Sequence, residues 1–419
     1  MRNLLNNEQQ YALDCILSGE NVFLTGNAGT GKSFVISEAI DMLEGNKNVM
    51  VCAPTGIAAL NINGATIHRA FRVPIGPLTV EPISVSKELL NTDVVIIDEV
   101  SMCRADLFRF ISRQIREASK MRVSMATPKA EIQVVVVGDF FQLPPVINDR
   151  EKEVLQSYYG EASSYYAFKS IYWKEFNFTN IVLHQVIRQS DVDICTALDK
   201  VRYGDITGAS YFNLYSSKKS IENAIYLCGT NKAADEYNSV QFNKINSEAV
   251  SFEASQSGEV KESDKCVPDI IELKVGARVI LMANCCGRFN GEMGTILEIN
   301  KDSASVKVSM DLGGEAIITP NTWEIMGYSS SKGKLHKKVI GKYTQIPLRI
   351  GYAITIHKSQ GQTYEAININ PYSWEYGQLY VGLSRAKSIY NMHLTQPIKN
   401  SYLKAAPDVL SFYNRILNN

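Results

Sequence analysis

The amino-acid sequence predicts an α/β fold built on parallel sheets, and three observations support this. A short apolar run at residues 22–24 leads into a glycine-rich turn and then into an apolar helix pattern. The continuous apolar runs at 94–97 and 134–137 are typical of strands buried inside a parallel sheet. A similar pattern resumes at residues 348–356, after a region of short strands and glycines. We therefore expect two α/β units, the second interrupted by a β-rich insertion.

The glycine-rich turn reads GNAGTGKS and matches the phosphate-loop pattern G-x-x-x-x-G-K-[ST] between a strand and a helix. In such a loop, backbone N–H groups and the positive helix N-terminus face a phosphate. We expect Lys32 to contact the β- and γ-phosphates of ATP, and the Ser33 hydroxyl to ligate Mg²⁺. The other nucleotide-binding candidates in the loop are Gly26, Ala28, Gly29, Thr30 and Gly31.

Two carboxylates follow the apolar run at 94–97, and they predict hydrolysis rather than binding alone. Ligands of parallel sheets bind at the carboxyl ends of the strands. We expect Asp98 to hold Mg²⁺ and Glu99 to orient or deprotonate the attacking water. Gln142, which follows the next apolar run, is a candidate contact for the γ-phosphate.

Gln9 is the candidate reader of adenine. Its side-chain amide offers both a hydrogen-bond donor and an acceptor, and it lies near the start of a predicted helix at residues 4–17. The alternative is an ordinary solvated glutamine at a helix start.

Small polar and aromatic side chains follow the apolar strand at 49–53. Thr55, His68 and Phe71 fit a track for nucleic-acid phosphates with a base-stacking ring. The next segment, residues 73–86, is proline-rich and breaks the periodicity, so we interpret it as a small insertion that includes Pro74.

The predicted domain boundaries follow these patterns. The first domain covers residues 1–180, with an insertion at about 73–90, and the second α/β unit starts near Ile181 and runs to 272. Glycines and the hairpin signal Asn290-Gly291 predict a small β-barrel with a basic hairpin at 273–345. Residues 346–419 complete the second unit. The hairpin lysines fit either a solvated face or an arm that binds phosphates.

Composition limits the class of protein. A chain of 419 residues is too long for one ordinary core, and 45% hydrophobic content suits a globular protein. No run of about 18 apolar residues predicts a membrane span, and the N-terminal residues lack a signal-peptide pattern, so a cytoplasmic protein is expected. The eight cysteines show no metal-binding spacing. The formal net charge of zero counts mildly against a nucleic-acid partner.

Seven segments in order resemble the motifs of superfamily-one helicases, and the 5′-to-3′ B branch fits best. The segment SMCRADLFRFISRQIR is similar to the signature helix of the PIF family. The resemblance covers nearly the whole chain. The seven segments are GNAGTGKS, APTGIAAL, VVIIDEVSM, VVVVGDFFQLPPV, HQVIRQS, AITIHKSQGQT and YVGLSRA.

The resemblance implies two RecA-like P-loop NTPase domains with ATP between them, a wedge insertion in the first and a small β-barrel in the second. It implies that Arg188 and Arg385 reach the γ-phosphate and that Gly361 belongs to the nucleotide site. It also implies DNA-strand contacts, and these fall on Thr55, His68, Thr355, His357, Lys358 and Ser359.

The implied activity is an ATP-dependent DNA helicase that moves 5′ to 3′ on single-stranded DNA and unwinds duplex, with G-quadruplexes and RNA–DNA hybrids as further candidate substrates. The alternative is a DNA-stimulated ATPase that displaces proteins and barely unwinds. Expected partners are single-stranded DNA, duplex junctions, and single-strand binding or repair factors, but no membrane. The chain is expected to be a monomer, nucleoid-associated, and bacterial or phage-like.

Overall fold

The structure is a computed structural model that describes residues 5–74, 76–79, 84–125, 128–147, 149–159, 165–187, 192–331 and 334–417. The chain divides into two compact units. Unit 1 comprises Met1–Ser190, Met326–Val339 and Ala406–Asn419, and unit 2 comprises Asp191–Ile325 and Ile340–Ala405. Within the described ranges, no helix is both long and apolar enough to cross a membrane.

Unit 1 alternates strands and helices. Its strands are β1 (Val22–Gly26), β2 (Val49–Ala53), β3 (Ala65–Thr66), β4 (Val94–Ile97), β5 (Gln133–Val137) and β6 (Thr179–Leu183). Its helices are α1 (Asn7–Ser18), α2 (Lys32–Leu43), α3 (Gly56–Asn61), α4 (Ile67–Ala70), α5 (Lys87–Leu90), α6 (Ala105–Val123), α7 (Asp149–Tyr159), α8 (Ile171–Glu175) and, much later in the chain, α13 (Pro407–Leu417).

The described strands of unit 1 form one parallel sheet of order β3-β2-β4-β5-β1-β6. Strand β1 lies inside the sheet, where Val22 pairs with Val135 on one side and Thr179 on the other. Every residue of β1, β2, β4 and β5 is buried, as the continuous apolar runs predicted. Helices α1 and α2 bury Ile16 and Ile36 against this sheet.

Strand β6 corrects one predicted boundary. Residues 181–183 were expected to start the second α/β unit, but they pair in parallel with β1 at the edge of the first sheet. An apolar strand pattern reports burial and not the sheet that the strand joins, so the sequence could not assign it.

Helix α13 corrects a second boundary. It was predicted in the second domain, but its Phe412 ring stacks on Phe168 in unit 1, with 4.3 Å between ring centroids. The same ring lies 5.6 Å from Phe140 and 5.8 Å from Phe23. An ion pair between Lys169 and Asp408 adds a contact at the surface. The apolar side of this helix is therefore part of the core of unit 1.

Unit 2 contains a parallel sheet and most of an antiparallel insertion, of which Met326–Val339 belongs to unit 1. Its helices are α9 (Val192–Arg202), α10 (Ile206–Tyr215), α11 (Asn231–Asn243) and α12 (Gln378–Leu383). The parallel sheet has the order β18-β7-β19-β20, built from β7 (Ile225–Cys228), β18 (Ala353–Thr355), β19 (Ile367–Ile369) and β20 (Met392–Leu394). The predicted α/β class with parallel sheets is therefore confirmed.

The inserted strands lie between α11 and β18. They are β8 (Ala249–Glu253), β9 (Ser255–Gly258), β10 (Ile270–Lys274), β11 (Arg278–Leu281), β12 (Met293–Asn300), β13 (Ser305–Met310), β14 (Glu315–Ile318), β15 (Asn321–Ser331), β16 (Lys334–Gln345) and β17 (Leu348–Ile350). In the described residues they form sheets of order β14-β13-β12-β11-β17, β10-β8 and β15-β16-β9.

The insertion is longer than the predicted 273–345, because it begins at β8 and ends at β17. Phe252 in β8 and Ile271 in β10 join one hydrophobic core with Val279, Val308 and Leu348 of the five-stranded sheet. The sequence missed β8 and β9 because most of their side chains are exposed and the apolar alternation of β8 is limited to Val250 and Phe252.

The packing of α13 predicts a large stability loss for Phe412→Ala. Removing a ring that is 5% exposed should lower the free energy of unfolding by about 3–5 kcal/mol, measured by urea denaturation. Leu417→Ala is the matched control on the same helix, because Leu417 is 46% exposed and should change stability by less than about 0.5 kcal/mol. Equal losses in the two variants would contradict the docking of this helix.

Candidate nucleotide site and strand contacts

The phosphate loop connects β1 to α2 and requires glycine for two steric reasons. A Cβ on Gly26 would lie 2.4 Å from the Leu183 carbonyl oxygen of β6. A Cβ on Gly31 would lie 2.4 Å from Gln9 Nε2, and Gly31 also has a φ of +82°. The loop is therefore packed between β6 and the start of α1.

Lys32 begins α2, and its ammonium group lies inside the loop. Its Nζ donates to the carbonyl oxygens of Gly26, at 2.9 Å, and Asn27, at 3.0 Å. Thr30 is fully buried and donates from Oγ1 to Asn27 O. Ser33 is exposed on the first turn of α2, so its hydroxyl is accessible, as its predicted role requires.

Gln9 is buried against the phosphate loop, so the solvated alternative is wrong. Its Nε2 donates to Thr30 O at 3.1 Å, and its Oε1 accepts from the Asn6 backbone N–H at 3.1 Å. Asn6 Oδ1 accepts in turn from Gln9 N, which completes a capping box at the start of α1. The amide thus joins the helix start to the loop, and adenine reading stays a prediction.

Asp98 and Glu99 follow β4 at the carboxyl edge of the sheet. Burial, and then the adjacent Glu99, raises the pKa of Asp98 to about 7. A hydrogen bond from the Glu99 backbone N–H at 2.9 Å and the Lys32 charge act in the opposite direction. A bound divalent cation would also favour the ionised carboxylate.

Glu99 has a left-handed backbone, with φ +50° and ψ +42°. A residue with a Cβ in this conformation is strained by about 1–2 kcal/mol. Such strain is typical of functional positions, where the surrounding structure holds the residue in place. The conformation fits the predicted catalytic role of Glu99 but does not test it.

Gln142 lies at the end of a turn after β5, and its backbone N–H donates to Asp139 O at 2.9 Å. The Asp139 side chain is fully buried, and its Oδ1 accepts from Tyr413 Oη at 3.4 Å. Tyr413 Oη also lies 2.5 Å from Thr25 Oγ1 and accepts from Phe140 N at 3.3 Å. This hydroxyl therefore joins the strand that precedes the phosphate loop to the turn that carries Gln142.

The sequence did not identify Tyr413 or Thr25 as part of this site. Their hydroxyls meet across 388 residues of chain, and no local pattern reports such a contact. Asp139 had a detectable signal, since it is an acid directly after a buried strand.

The predicted DNA contacts of unit 1 are only partly accessible. Thr55 Oγ1 accepts from Ala58 N at 3.2 Å and caps α3, while His68 is half-buried in α4. Pro74 is exposed. Phe71 is only 3% exposed, so its ring packs in the core, and base stacking by this residue stays a prediction.

The predicted contacts of unit 2 follow β18. Thr355 Oγ1 accepts from Lys358 N at 3.2 Å, and burial lowers the pKa of both His357 and Lys358. The Ser359 side chain is fully buried and donates to Ile356 O at 2.8 Å. Its contact with the DNA strand stays a prediction. Gly361 is exposed, with a φ of +79°.

Arg385 is buried inside unit 2 and is 1% exposed. It donates from Nε to Val381 O at 2.8 Å, from Nη1 to Gln362 O at 2.9 Å and from Nη2 to Ser384 Oγ at 2.7 Å. These bonds tie the turn after β18 to helix α12. The predicted γ-phosphate contact of Arg385 is untested, and Arg188 lies outside the described residues.

The predicted basic hairpin has an acidic neighbour in the structure, although its own sequence contains no acid. No acid occurs in residues 325–349, but Lys342 of β16 pairs with Glu324 of β15 at 3.1 Å. Lys338 is exposed. This ion pair favours the interpretation that Lys342 belongs to a solvated face and not to an arm that binds phosphates.

The phosphate loop and the acid pair Asp98-Glu99 at one sheet edge define the class of protein, a phosphate-loop nucleotide hydrolase. Residues 4–204 match the model for the PIF1-like helicase family, and residues 351–389 match the UvrD-like helicase C-terminal domain. The ATP-dependent DNA helicase Pif1 of Campylobacter jejuni is 32% identical over 96% of both chains. This chain therefore belongs to the PIF1-like helicase family.

Solved structures agree with this assignment. Pif1 from Bacteroides sp. in complex with ADP-AlF4 is 28% identical, covers 99% of this chain and 98% of its own, and superposes with a TM-score of 0.85. Bacteroides Pif1 bound to ssDNA is 30% identical over 99% of this chain and 97% of its own, with a TM-score of 0.69.

The geometry predicts different defects for Lys32→Ala and Glu99→Gln. Lys32→Ala should weaken nucleotide binding, because it removes the loop's ammonium group. Glu99→Gln should keep binding, since Asp98 remains, but lower hydrolysis by about 10²–10⁴-fold. Affinity for a fluorescent ATP analogue and steady-state hydrolysis separate the two defects.

The control for this pair is Glu44→Gln, which neutralises an exposed acid just after α2 and should change neither quantity. Equal weakening of nucleotide affinity in the Lys32 and Glu99 variants would contradict the division of roles.

Proposed function

We propose that this ATP-dependent DNA helicase moves 5′ to 3′ along single-stranded DNA and unwinds the duplex at fork junctions. The observation that carries the proposal is the phosphate loop together with the buried Asp98 and its half-buried neighbour Glu99, because these features fit nucleotide hydrolysis and not binding alone. Family membership and the solved ssDNA complex of a relative support DNA as the substrate.

The nucleotide step uses side chains of unit 1. Lys32 binds the phosphates from the centre of the loop, and Glu99 orients the attacking water and accepts its proton. Ser33 and Asp98 would hold Mg²⁺, which supplies charge neutralisation on the phosphates. One hydroxyl and one carboxylate suit this ion, because Mg²⁺ completes its shell with waters and substrate oxygens.

The strand contacts that we propose are hydroxyl and basic groups. In unit 2 they are Thr355, His357 and Lys358, at the carboxyl edge of the parallel sheet. In unit 1 they are Thr55 and His68. Such groups bind the sugar-phosphate backbone and carry little sequence information, which suits a protein that moves along DNA.

The insertion after β3 and α4 is held against helix α6. Arg104 Nη2 donates to Gly76 O at 2.6 Å, and Leu78 N donates to Asp106 Oδ2 at 2.9 Å. Arg104 and Asp106 also form a buried ion pair at 2.9 Å. This bracing supports a fixed wedge, against which a base-pair step of about 1.4 kcal/mol can be separated.

Arg385→Ala should lower DNA-stimulated hydrolysis, as its resemblance to the family's γ-phosphate arginine implies. It should also weaken binding to single-stranded DNA by about tenfold, because Gln362 O and Ser359 O lose a donor in the turn that carries Lys358. Oligonucleotide affinity without nucleotide measures the second effect. If the variant loses hydrolysis but keeps its affinity for DNA, Arg385 acts only at the nucleotide site.

Polarity is tested with matched duplexes that carry a single-stranded tail on the 5′ or the 3′ side. We expect faster unwinding of the 5′-tailed duplex, with a blunt duplex and the Lys32→Ala variant as inactive controls. A protein bound to the tail as a block tests the alternative function, because an ATPase that only displaces proteins would remove the block but barely unwind the duplex. Preferential unwinding of the 3′-tailed duplex would refute the proposed direction.

A further inference from the structure

Trp374 is an exposed tryptophan in a chain that buries the other two. The sequence has three tryptophans, and Trp173 and Trp323 are 6% and 7% exposed, whereas Trp374 is 47% exposed. It lies in the segment between β19 and α12, at the carboxyl edge of the parallel sheet of unit 2. A half-exposed indole at the ligand-binding edge of a parallel sheet indicates a binding role.

Hydrogen bonds hold this indole in one orientation. Its Nε1 donates to Gly229 O at 3.2 Å, and its backbone N–H donates to Gln378 Oε1 at 3.2 Å. Gln378 Nε2 donates to the same Gly229 oxygen at 3.0 Å. The ring of His357 lies nearly parallel to the indole, at 22° and 6.2 Å between centroids. The ring is therefore positioned in advance, which limits the entropy lost when a ligand binds.

The groups around the indole suit a nucleic-acid strand. Lys404 Nζ donates to Trp374 O at 2.9 Å, and Lys358 follows His357 directly in the chain. The acid of this segment, Glu375, accepts from the Tyr376 backbone N–H at 2.9 Å. An aromatic face flanked by amines is the arrangement with which proteins bind single strands, stacking a base while cations contact the backbone.

We propose that a nucleobase of the bound single strand stacks on Trp374, next to the backbone contacts of Thr355, His357 and Lys358. The proposal rests on the proposed function, since it assumes that this edge of unit 2 binds DNA. Stacking requires only the flat face of a base, so the contact tolerates any sequence.

Tryptophan fluorescence tests the proposal directly, because the other two indoles are buried. An oligothymidylate should change the emission of the wild-type protein, and an oligomer of the same length made of abasic sites should change it much less. Trp374→Phe should abolish most of this change while it keeps a ring for stacking. Trp374→Ala should weaken thymidylate binding by roughly 5- to 150-fold, with an unchanged salt slope, because stacking releases no counterions.

Tyr390→Ala is the matched control. Tyr390 is an aromatic residue of unit 2 that is 73% exposed, but it precedes β20, which runs parallel to β19, and so lies at the opposite edge of the sheet. The Tyr390→Ala variant should bind both the thymidylate and the abasic oligomer as tightly as the wild type does.

Two results would overturn the stacking contact. The first is a Trp374→Ala variant that binds thymidylate as tightly as the wild type. The second is a variant that loses the same affinity for the thymidylate and abasic oligomers, which would assign Trp374 to backbone positioning. If either result is found while the wild-type protein still unwinds tailed duplex, the stacking contact is refuted and the proposed function is not. A wild-type protein that binds neither oligomer and does not unwind would refute the proposed function itself.

Discussion

The interior position of β1 is the constraint on which the nucleotide site depends. Parallel pairing to β5 on one side and β6 on the other fixes where the strand ends, and the phosphate loop starts at that point. The same pairing brings the Leu183 carbonyl so close to Gly26 that a side chain there would clash. The phosphate loop, the Ser33 hydroxyl and the acid pair therefore lie at one sheet edge because of backbone hydrogen bonds, before any side chain contributes.

The sequence could predict those parts of the fold whose signals are local. The buried runs of β1, β4 and β5 and the helix after the phosphate loop were recognisable from periodicity and motif. Membership of a sheet is not a local property. For this reason β6 was placed in the wrong unit, and α13 was assigned by its position in the sequence although its aromatic side chains pack elsewhere. Strands β8 and β9 are mostly exposed, and the short apolar alternation of β8 was not recognised.

The candidate site likewise contains residues with a local sequence signal and residues that only tertiary packing brings together. Motif residues such as Lys32 and Asp98 lie where their spacing predicted, because the loop carries its own geometry. Residue type alone predicted Phe71 and Ser359 as DNA contacts, and it could not show that both side chains are buried in this structure. The bridge from Tyr413 to Thr25 and Asp139 depends on tertiary packing, which a single sequence does not encode in any local pattern.

The return of α13 to unit 1 has a consequence for how the protein is made. Unit 1 is assembled from the first 190 residues, from Met326–Val339, and from a helix that the ribosome produces more than 200 residues after Ser190. Until that helix emerges, the aromatic cluster around Phe23 and Phe140 lacks Phe412, and apolar surface stays open on the nascent chain. The residues of unit 2 are synthesised in that interval. The nucleotide-binding half thus begins first and is completed last, so its exposed core has the longest period in which chaperones or other chains can bind it.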